Sequence, residues 1–385
     1  MKEKMIREFV DKFGGERETV ETFFAPGRVN LIGEHIDYNG GHVFPCALDF
    51  GTYGAVRKRQ DNKLRMASLN FDLEVEVDAD RLVYDEADDW ANYPKGVVKG
   101  FLNRGCRVGG MDILYWGNIP NGAGLSSSAS LEVLTAVLVN DLFDCGIAPM
   151  DLVLLTQEAE NSFVGVNCGI MDQFAVCMGR KDSAMLLDCK TLEYSYAPLV
   201  LDGIRIVIGN TRKRRGLADS KYNERRSECE YALAKLREVV EIETLCDLDP
   251  AAFQAHRHRI DQEAPARRAE HAVWENHRTL EAAAALQAGD LARFGELMNA
   301  SHRSLRDLYE VTGRELDAMV EEAWKVDGTI GSRMTGAGFG GCTVSLVRAG
   351  AVEDFIKTVG ENYAAATGLE PEFYVVDVGA GASRI

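Results

Sequence analysis

Apolar positions change their spacing several times along this chain, and each change predicts an element. Residues 1–13 set charges among apolar positions at helical spacing and predict an amphipathic helix, which Gly14-Gly15 ends. Residues 21–24, 43–57 and 111–116 are short apolar or β-branched runs, and Leu73-Glu-Val-Glu-Val77 alternates strictly; each predicts a strand. Residues 89–101 predict the start of a helix, and residues 151–162 put Leu152, Leu155 and Ala159 on one helical face. Residues 185–189 and 204–208 predict further strands, but residues 219–324 are helical almost throughout, with Tyr222, Cys229, Leu233, Leu236 and Val240 along one face. The shift from strand-rich to helix-rich texture near residue 200 divides the chain into expected domains 1–199 and 200–385.

One junction between patterns stands out. Gly122-Ala-Gly-Leu-Ser-Ser-Ser-Ala-Ser130 runs without a break into the apolar stretch 131–143, which predicts a helix buried on most sides. Glycines let backbone N–H groups approach a ligand, and the positive end of a helix favours an oxyanion, most often a phosphate. A Gly/Ser linker would not abut a long apolar helix in this way.

Two other stretches hold candidate chemistry. Between residues 25 and 42, Arg28, Glu34, His35 and Asp37 lie among Gly27, Gly33 and Gly40-Gly41. This predicts an irregular segment that is either a solvated charged loop or a set of donors and acceptors for a hydroxyl-rich ligand. Asp172 sits among Ile170, Met171, Phe174, Ala175 and Val176, where a carboxylate is costly unless satisfied. It is either a helix cap close behind Gly169 or a group kept for chemistry. Trp90 reads equally as core or as a surface on which a base stacks. His256 and His258 fall on opposite helix faces and read as surface rather than a metal pair.

Near the end, Met334-Thr-Gly-Ala-Gly-Phe-Gly-Gly341 feeds a strand. A dinucleotide fingerprint would follow a strand and open a helix, so the order excludes that reading, and backbone packed closely on a ligand or another loop is expected. The chain has no G-x-x-x-x-G-K-[ST] phosphate loop either.

Composition narrows the partners. The chain has 385 residues, 46% of them hydrophobic and 27% charged, which suits an ordinary globular protein of two domains with a cleft between them. A net charge of -17 repels nucleic acid and anionic membranes, so any phosphate must be held by a local site. The 9 cysteines are scattered without a C-x-x-C pair, as in reduced cytoplasmic proteins, and no signal-peptide core or bilayer-length apolar run is present.

Taken together, these segments resemble the GHMP kinase superfamily, which includes galactokinase, homoserine kinase, mevalonate kinase and phosphomevalonate kinase. The stretch Gly27-Arg-Val-Asn-Leu-Ile-Gly-Glu-His-Ile-Asp-Tyr-Asn-Gly-Gly41 is close to the pattern marking the galactokinase family. Trp90-Ala-Asn-Tyr, Cys168-Gly-Ile-Met-Asp-Gln-Phe174 and Ser301-His-Arg-Ser-Leu-Arg306 extend the resemblance over nearly the whole chain; Ile36 stands where Thr is usual.

The resemblance implies an α/β plus α+β fold of the GHMP kinase architecture. An N-terminal mixed-sheet domain and a C-terminal helix-rich, ferredoxin-like domain would hold the active site between them. It implies that Asp172 is the catalytic carboxylate, with Arg28 keeping it ionised and countering phosphoryl charge. Glu34, His35, Asp37, Gly169 and Tyr222 would hold the sugar. Gly122, Ala123, Gly124, Leu125, Ser126, Ser127 and Ser128 would form the phosphate loop, with Trp90 as the adenine-side wall. Ser128 and Glu160 would ligate Mg²⁺. The expected activity is ATP-dependent phosphorylation of galactose at its anomeric oxygen, by a cytoplasmic monomer with no nucleic-acid or membrane partner. A kinase for another sugar, such as N-acetylgalactosamine, could use the same frame. A sensor that has lost catalysis would be expected to lack part of the phosphate loop or of the pair Arg28 and Asp172, both present here.

Overall fold

The computed structural model describes residues 1–120, 124–199, 202–213 and 218–385; Gly122 and Ala123 of the expected phosphate loop lie outside them. Residues 21–30 form one long strand, not a short strand followed by irregular chain. Glu21–Asn30 pairs antiparallel with Pro45–Lys58, and the register slips between Pro26 and Arg28. The slip is a bulge just past the Pro26–Gly51 pair, where Gly27 alone stands against Leu48, Asp49 and Phe50 of the partner strand. The partner strand makes room with Gly51, where a Cβ would stand 2.0 Å from the Ala25 carbonyl oxygen. Tertiary pairing thus overrides the turn-forming residues.

This pair holds the second and third places in a six-stranded mixed sheet. Across it run Ser383–Arg384, Glu21–Asn30, Pro45–Lys58, Met111–Gly117, Lys63–Ser68 and Val75–Asp78. Helices Asn92–Asn103, Ser127–Leu142, Pro149–Glu158 and Met171–Met178 share one apolar core with it. Helix Lys2–Phe13 packs through Met5, Ile6 and Phe9 against Ala55, Ala67 and Leu114, sheet residues of a separate small core. Ser127–Leu142 is buried on most sides, as its apolar run predicts.

The C-terminal half carries a four-stranded antiparallel sheet of Ile204–Asn210, Thr329–Thr335, Cys342–Arg348 and Glu372–Val376. Counted along the chain, these lie in the order fourth, first, third, second, which is the ferredoxin-like arrangement. Ile206 and Ile208 face a core shared with Phe294 and Met298, whereas Val207 packs on the other side with Met319 and Phe355. Burial of both faces explains why residues 204–208 read as an unbroken apolar run. The chain end then returns to the N-terminal sheet, where Arg384 pairs with Phe23 and Ser383 with Phe24.

A buried ionic network ties the two halves together. Arg333, fully buried, donates from Nη1 to the Asn30 carbonyl oxygen (2.9 Å) and from Nε to Ser301 Oγ (3.2 Å). Ser301 donates in turn to Glu275 Oε1 (2.5 Å), which also accepts from the Gly33 N–H (3.1 Å). Arg278 donates to the other Glu275 oxygen at 2.8 Å. Burial opposes the Glu275 charge, but the cations around it win and hold its pKa down at about 2.

Candidate active site

Just past the bulge, Arg28 is almost fully buried, with its guanidinium meeting Asp172 edge-on. Nε donates to Oδ1 at 2.8 Å and Nη2 to Oδ2 at 2.9 Å, while Nη1 reaches the Gly124 carbonyl oxygen at 2.7 Å. The Arg28 backbone N–H also donates to the Leu125 carbonyl oxygen at 3.2 Å, so one residue ties the carboxylate to the glycine loop. Asp172 is the second residue of helix Met171–Met178, and Ile170 occupies the cap position. The capping alternative therefore falls. A third donor, Ser126 Oγ, lies 2.5 Å from Asp172 Oδ2. Ser126 adopts a left-handed φ of 62° just before the helix, and its hydroxyl is committed to Asp172.

Beside this pair lies Glu160, in a single π-turn Ala159–Val164, a distortion often found at functional sites. Its carboxylate accepts from Gln173 Nε2 at 2.6 Å and from the Cys168 thiol at 3.3 Å. Burial first, and then Asp172, raises its pKa, and the neighbouring buried Glu132 is raised in the same way by burial and by Glu160.

Arg28, Asp172, Ser128 and Glu160 line one cavity of about 480 Å³ together with Glu34, His35, Asp37, Gly169 and Tyr222. That volume falls within the range of small-molecule sites, roughly 300–1,000 Å³. Glu34 and His35 are buried, which removes the solvated-loop reading. Glu34 accepts from Asn30 Nδ2 (2.9 Å), the Gly336 N–H (2.6 Å) and Thr335 Oγ1 (3.1 Å). His35 holds a left-handed φ of 61° and lies against the rings of Tyr222 and Tyr309, with centroids at 5.5 and 4.9 Å. Burial pushes its pKa down to about 3, so the imidazole is neutral at neutral pH. Burial, with Asp172 and Glu34 nearby, pushes Asp37 up to about 7.

Gly169 has a specific reason to be glycine: a Cβ there would stand 1.8 Å from Asp37 Oδ2. Gly169→Ala is expected to displace that carboxylate and raise the KM for the ligand of this cavity about tenfold or more, the scale of one lost hydrogen bond to a charged group. An unchanged KM would show that Asp37 does not bind that ligand.

Two wall residues, Asn167 and Asn223, have no signal in the sequence patterns, whereas Tyr38, Tyr93 and Ala337 lie inside quoted motifs that did not single them out. The C-terminal glycine loop packs closely on other loops, as its composition predicts. A Cβ at Gly336 would lie 3.0 Å from the Gly124 carbonyl oxygen, and one at Gly338 would lie 2.2 Å from that of Val311. Other expected positions stand back from the cavity. Leu125 is in the core, Ser127 is exposed at the helix start, and Trp90 packs edge-on against Tyr115, its Nε1 finding no partner. Ile36 is fully buried beside Val43 and Met171, so its departure from the usual Thr does not touch the cavity.

Comparison with known proteins agrees with this geometry. Residues 7–58 match the galactokinase galactose-binding signature, residues 92–180 the GHMP kinases N terminal domain, and residues 282–365 the GHMP kinases C terminal domain. The chain is 56% identical to the galactokinase of Fusobacterium nucleatum, covering 100% of both chains. It is 53% identical to that of Bacillus subtilis, covering 100% of this chain and 99% of the other. The crystal structure of Lactococcus lactis galactokinase complexed with galactose superposes with a TM-score of 0.97 at 45% identity, covering 100% of this chain and 99% of that one. The Methanococcus jannaschii mevalonate kinase shares the fold, with a TM-score of 0.69 at 17% identity over 94% of this chain and 98% of that one. A sugar-side wall and a glycine loop joined through one arginine–carboxylate pair, in a sequence this similar throughout, place the chain in the galactokinase family of GHMP kinases.

Proposed function

We propose that this chain transfers the γ-phosphoryl group of ATP to the anomeric hydroxyl of α-D-galactose, giving galactose 1-phosphate and ADP. The observation that carries this reading is the Arg28–Asp172 pair, which touches the Gly124 loop on one side and lines the same cavity as Glu34, His35 and Asp37 on the other. The anomeric oxygen bonds to the γ-phosphorus as the oxygen bridging to ADP departs. Positioning and charge stabilisation supply most of the rate in such a transfer. Asp172 carries three donors, two from Arg28 and one from Ser126, which fix it in one orientation. A carboxylate so held is a well-placed acceptor, so its main task is to orient the attacking hydroxyl and receive its proton. Arg28 offsets the charge of the phosphoryl group in flight.

The loop 122–128 would hold the phosphates, Trp90 would wall the adenine side, and residues 1–199 and 200–385 would act as the two domains flanking the cleft. Ser128 and Glu160 suit Mg²⁺: they offer hard oxygens on the wall of one cavity, with the Asp172 carboxylate on the same wall. Bound there, Mg²⁺ would neutralise the β- and γ-phosphate oxygens. Ser128→Ala is expected to shift the Mg²⁺ titration of activity to higher metal concentration, and an unchanged titration would remove Ser128 from the ligand set. Among the described residues no helix is long and apolar enough to cross a membrane. A cytoplasmic monomer is proposed. The deciding experiment is turnover with ATP across a panel of hexoses. Galactose is expected to be the preferred acceptor; preference for N-acetylgalactosamine would replace the reading, and binding without turnover would make the protein a sensor.

A further inference from the structure

Four polar side chains stand in file behind the sugar wall. His35 Nδ1 is 2.8 Å from the Tyr38 hydroxyl, which is 2.8 Å from the Tyr309 hydroxyl, which is 3.1 Å from Cys229 Sγ. At the opposite end His35 Nε2 lies 3.2 Å from the Ala337 carbonyl oxygen. Tyr309 and Cys229 are buried, and neither lines the cavity.

The hydrogens follow by elimination. The Ala337 oxygen can only accept, so Nε2 carries the hydrogen. The ring is neutral, so Nδ1 has a lone pair and Tyr38 donates to it. The Tyr38 oxygen is then left to accept from Tyr309, and the Tyr309 oxygen from the Cys229 thiol. Asn39 Nδ2, 3.7 Å away, donates to the sulfur from behind. Every O–H and S–H in the file points towards His35.

We infer that Tyr309 is a positioning residue for sugar recognition, its hydroxyl acting through Tyr38 to hold His35 as the tautomer that presents an Nε2–H at the cavity wall. The bond to Ala337 is long for an N–H donor, which leaves that hydrogen to be shared with a substrate oxygen. His35 then supplies a donor where Glu34 and Asp37 supply acceptors. The other tautomer would set two lone pairs against each other at Ala337. The same segment also fixes the acceptor, because the Val311 carbonyl oxygen takes the Phe339 N–H at 2.7 Å and so anchors the loop bearing Ala337. The inference rests on the sugar-binding reading of this cavity.

The test uses the full chain with ¹⁵N-labelled histidine, the His35 signals being assigned by their loss in His35→Asn. Tyr309→Phe keeps the ring against His35 and His271 and removes only the hydroxyl. It is expected to mix the His35 tautomers and to raise the KM for galactose about three- to tenfold, the effect of one neutral hydrogen bond, with kcat and the KM for ATP unchanged. Cys229→Ser, which keeps a donor, should match the parent, whereas Cys229→Ala should move towards Tyr309→Phe; this pair decides the matter if Tyr309→Phe does not fold. A parent-like tautomer in Tyr309→Phe, a fall in kcat with KM unmoved, or identical behaviour of the two Cys229 variants would overturn the inference. The spectra need no turnover, so failure of the parent to phosphorylate galactose would count against the proposed function and leave the tautomer assignment to be judged separately.

Discussion

Asp172→Asn is expected to leave galactose bound and to lower kcat by at least about 10³-fold, the combined scale of a lost proton acceptor and lost electrostatic alignment. The amide is nearly the same size, so the helix Met171–Met178 and the sugar wall keep their places. What changes is the partner of Arg28. That guanidinium is buried, with a side-chain exposure of 5%, and among the described residues its acceptor besides Asp172 is the Gly124 carbonyl oxygen. An asparagine offers one oxygen and turns an NH₂ towards a cation, so Arg28 loses its bidentate seat and its buried charge is left without a counter-charge there. Calorimetry with galactose and a coupled assay for ADP separate the two effects. Turnover at the parent rate would remove Asp172 from the reaction, whereas loss of galactose binding would make its role one of substrate recognition.

The largest effect on stability is expected at Arg333. Arg333→Ala removes a fully buried cation that holds the Asn30 carbonyl oxygen, Ser301 and, at 3.5 Å, Glu34. Buried carboxylates at Glu34 and Glu275 then lose a counter-charge while remaining out of water. Breaking one side of a buried ionic network costs about 3–5 kcal/mol, to be read as a fall in the urea midpoint at constant slope. A pH signature accompanies it. The Glu275 pKa in the folded state lies at about 2, below its ordinary 4.5, so its contribution is complete above 4.5 and is lost as the pH falls towards 2. Removing Arg333 raises the folded-state value, so acid unfolding should begin at a higher pH than in the parent. An unchanged midpoint and acid limb would mean that the network contributes nothing net.

Much of the site was legible in short stretches. Gly124 and the apolar helix after Ser127 are neighbours in sequence, so a helix N-terminus fed by a glycine loop needs no tertiary information. The C-terminal glycine loop likewise announced close backbone packing, although not which loop it meets. Asp172 shows the limit. Its apolar neighbours mark it as unusual, but choosing between cap and chemistry required Arg28, 144 positions away. Gly169 is visible as a glycine, while its reason is the Asp37 carboxylate lodged against it. Tyr309 carries no local mark, because it contributes a single hydroxyl, and the glycine loop marks the stretch around Ala337 without showing that its backbone carbonyl meets His35.

The sequence by itself determined the periodicities, a glycine loop leading into a buried helix, the strongly acidic charge and the family pattern around Arg28, since each depends on residues a few positions apart. Tertiary structure alone decided how these meet. The bulge between Pro26 and Arg28, the seating of the C-terminal glycine loop on Gly124 and the burial of His35 arise when strands and helices far apart in the chain pack together. One cavity then holds a neutral histidine, a raised Asp37 and a triply bonded Asp172, because burial and neighbouring charge are properties of the packed molecule and not of any segment within it.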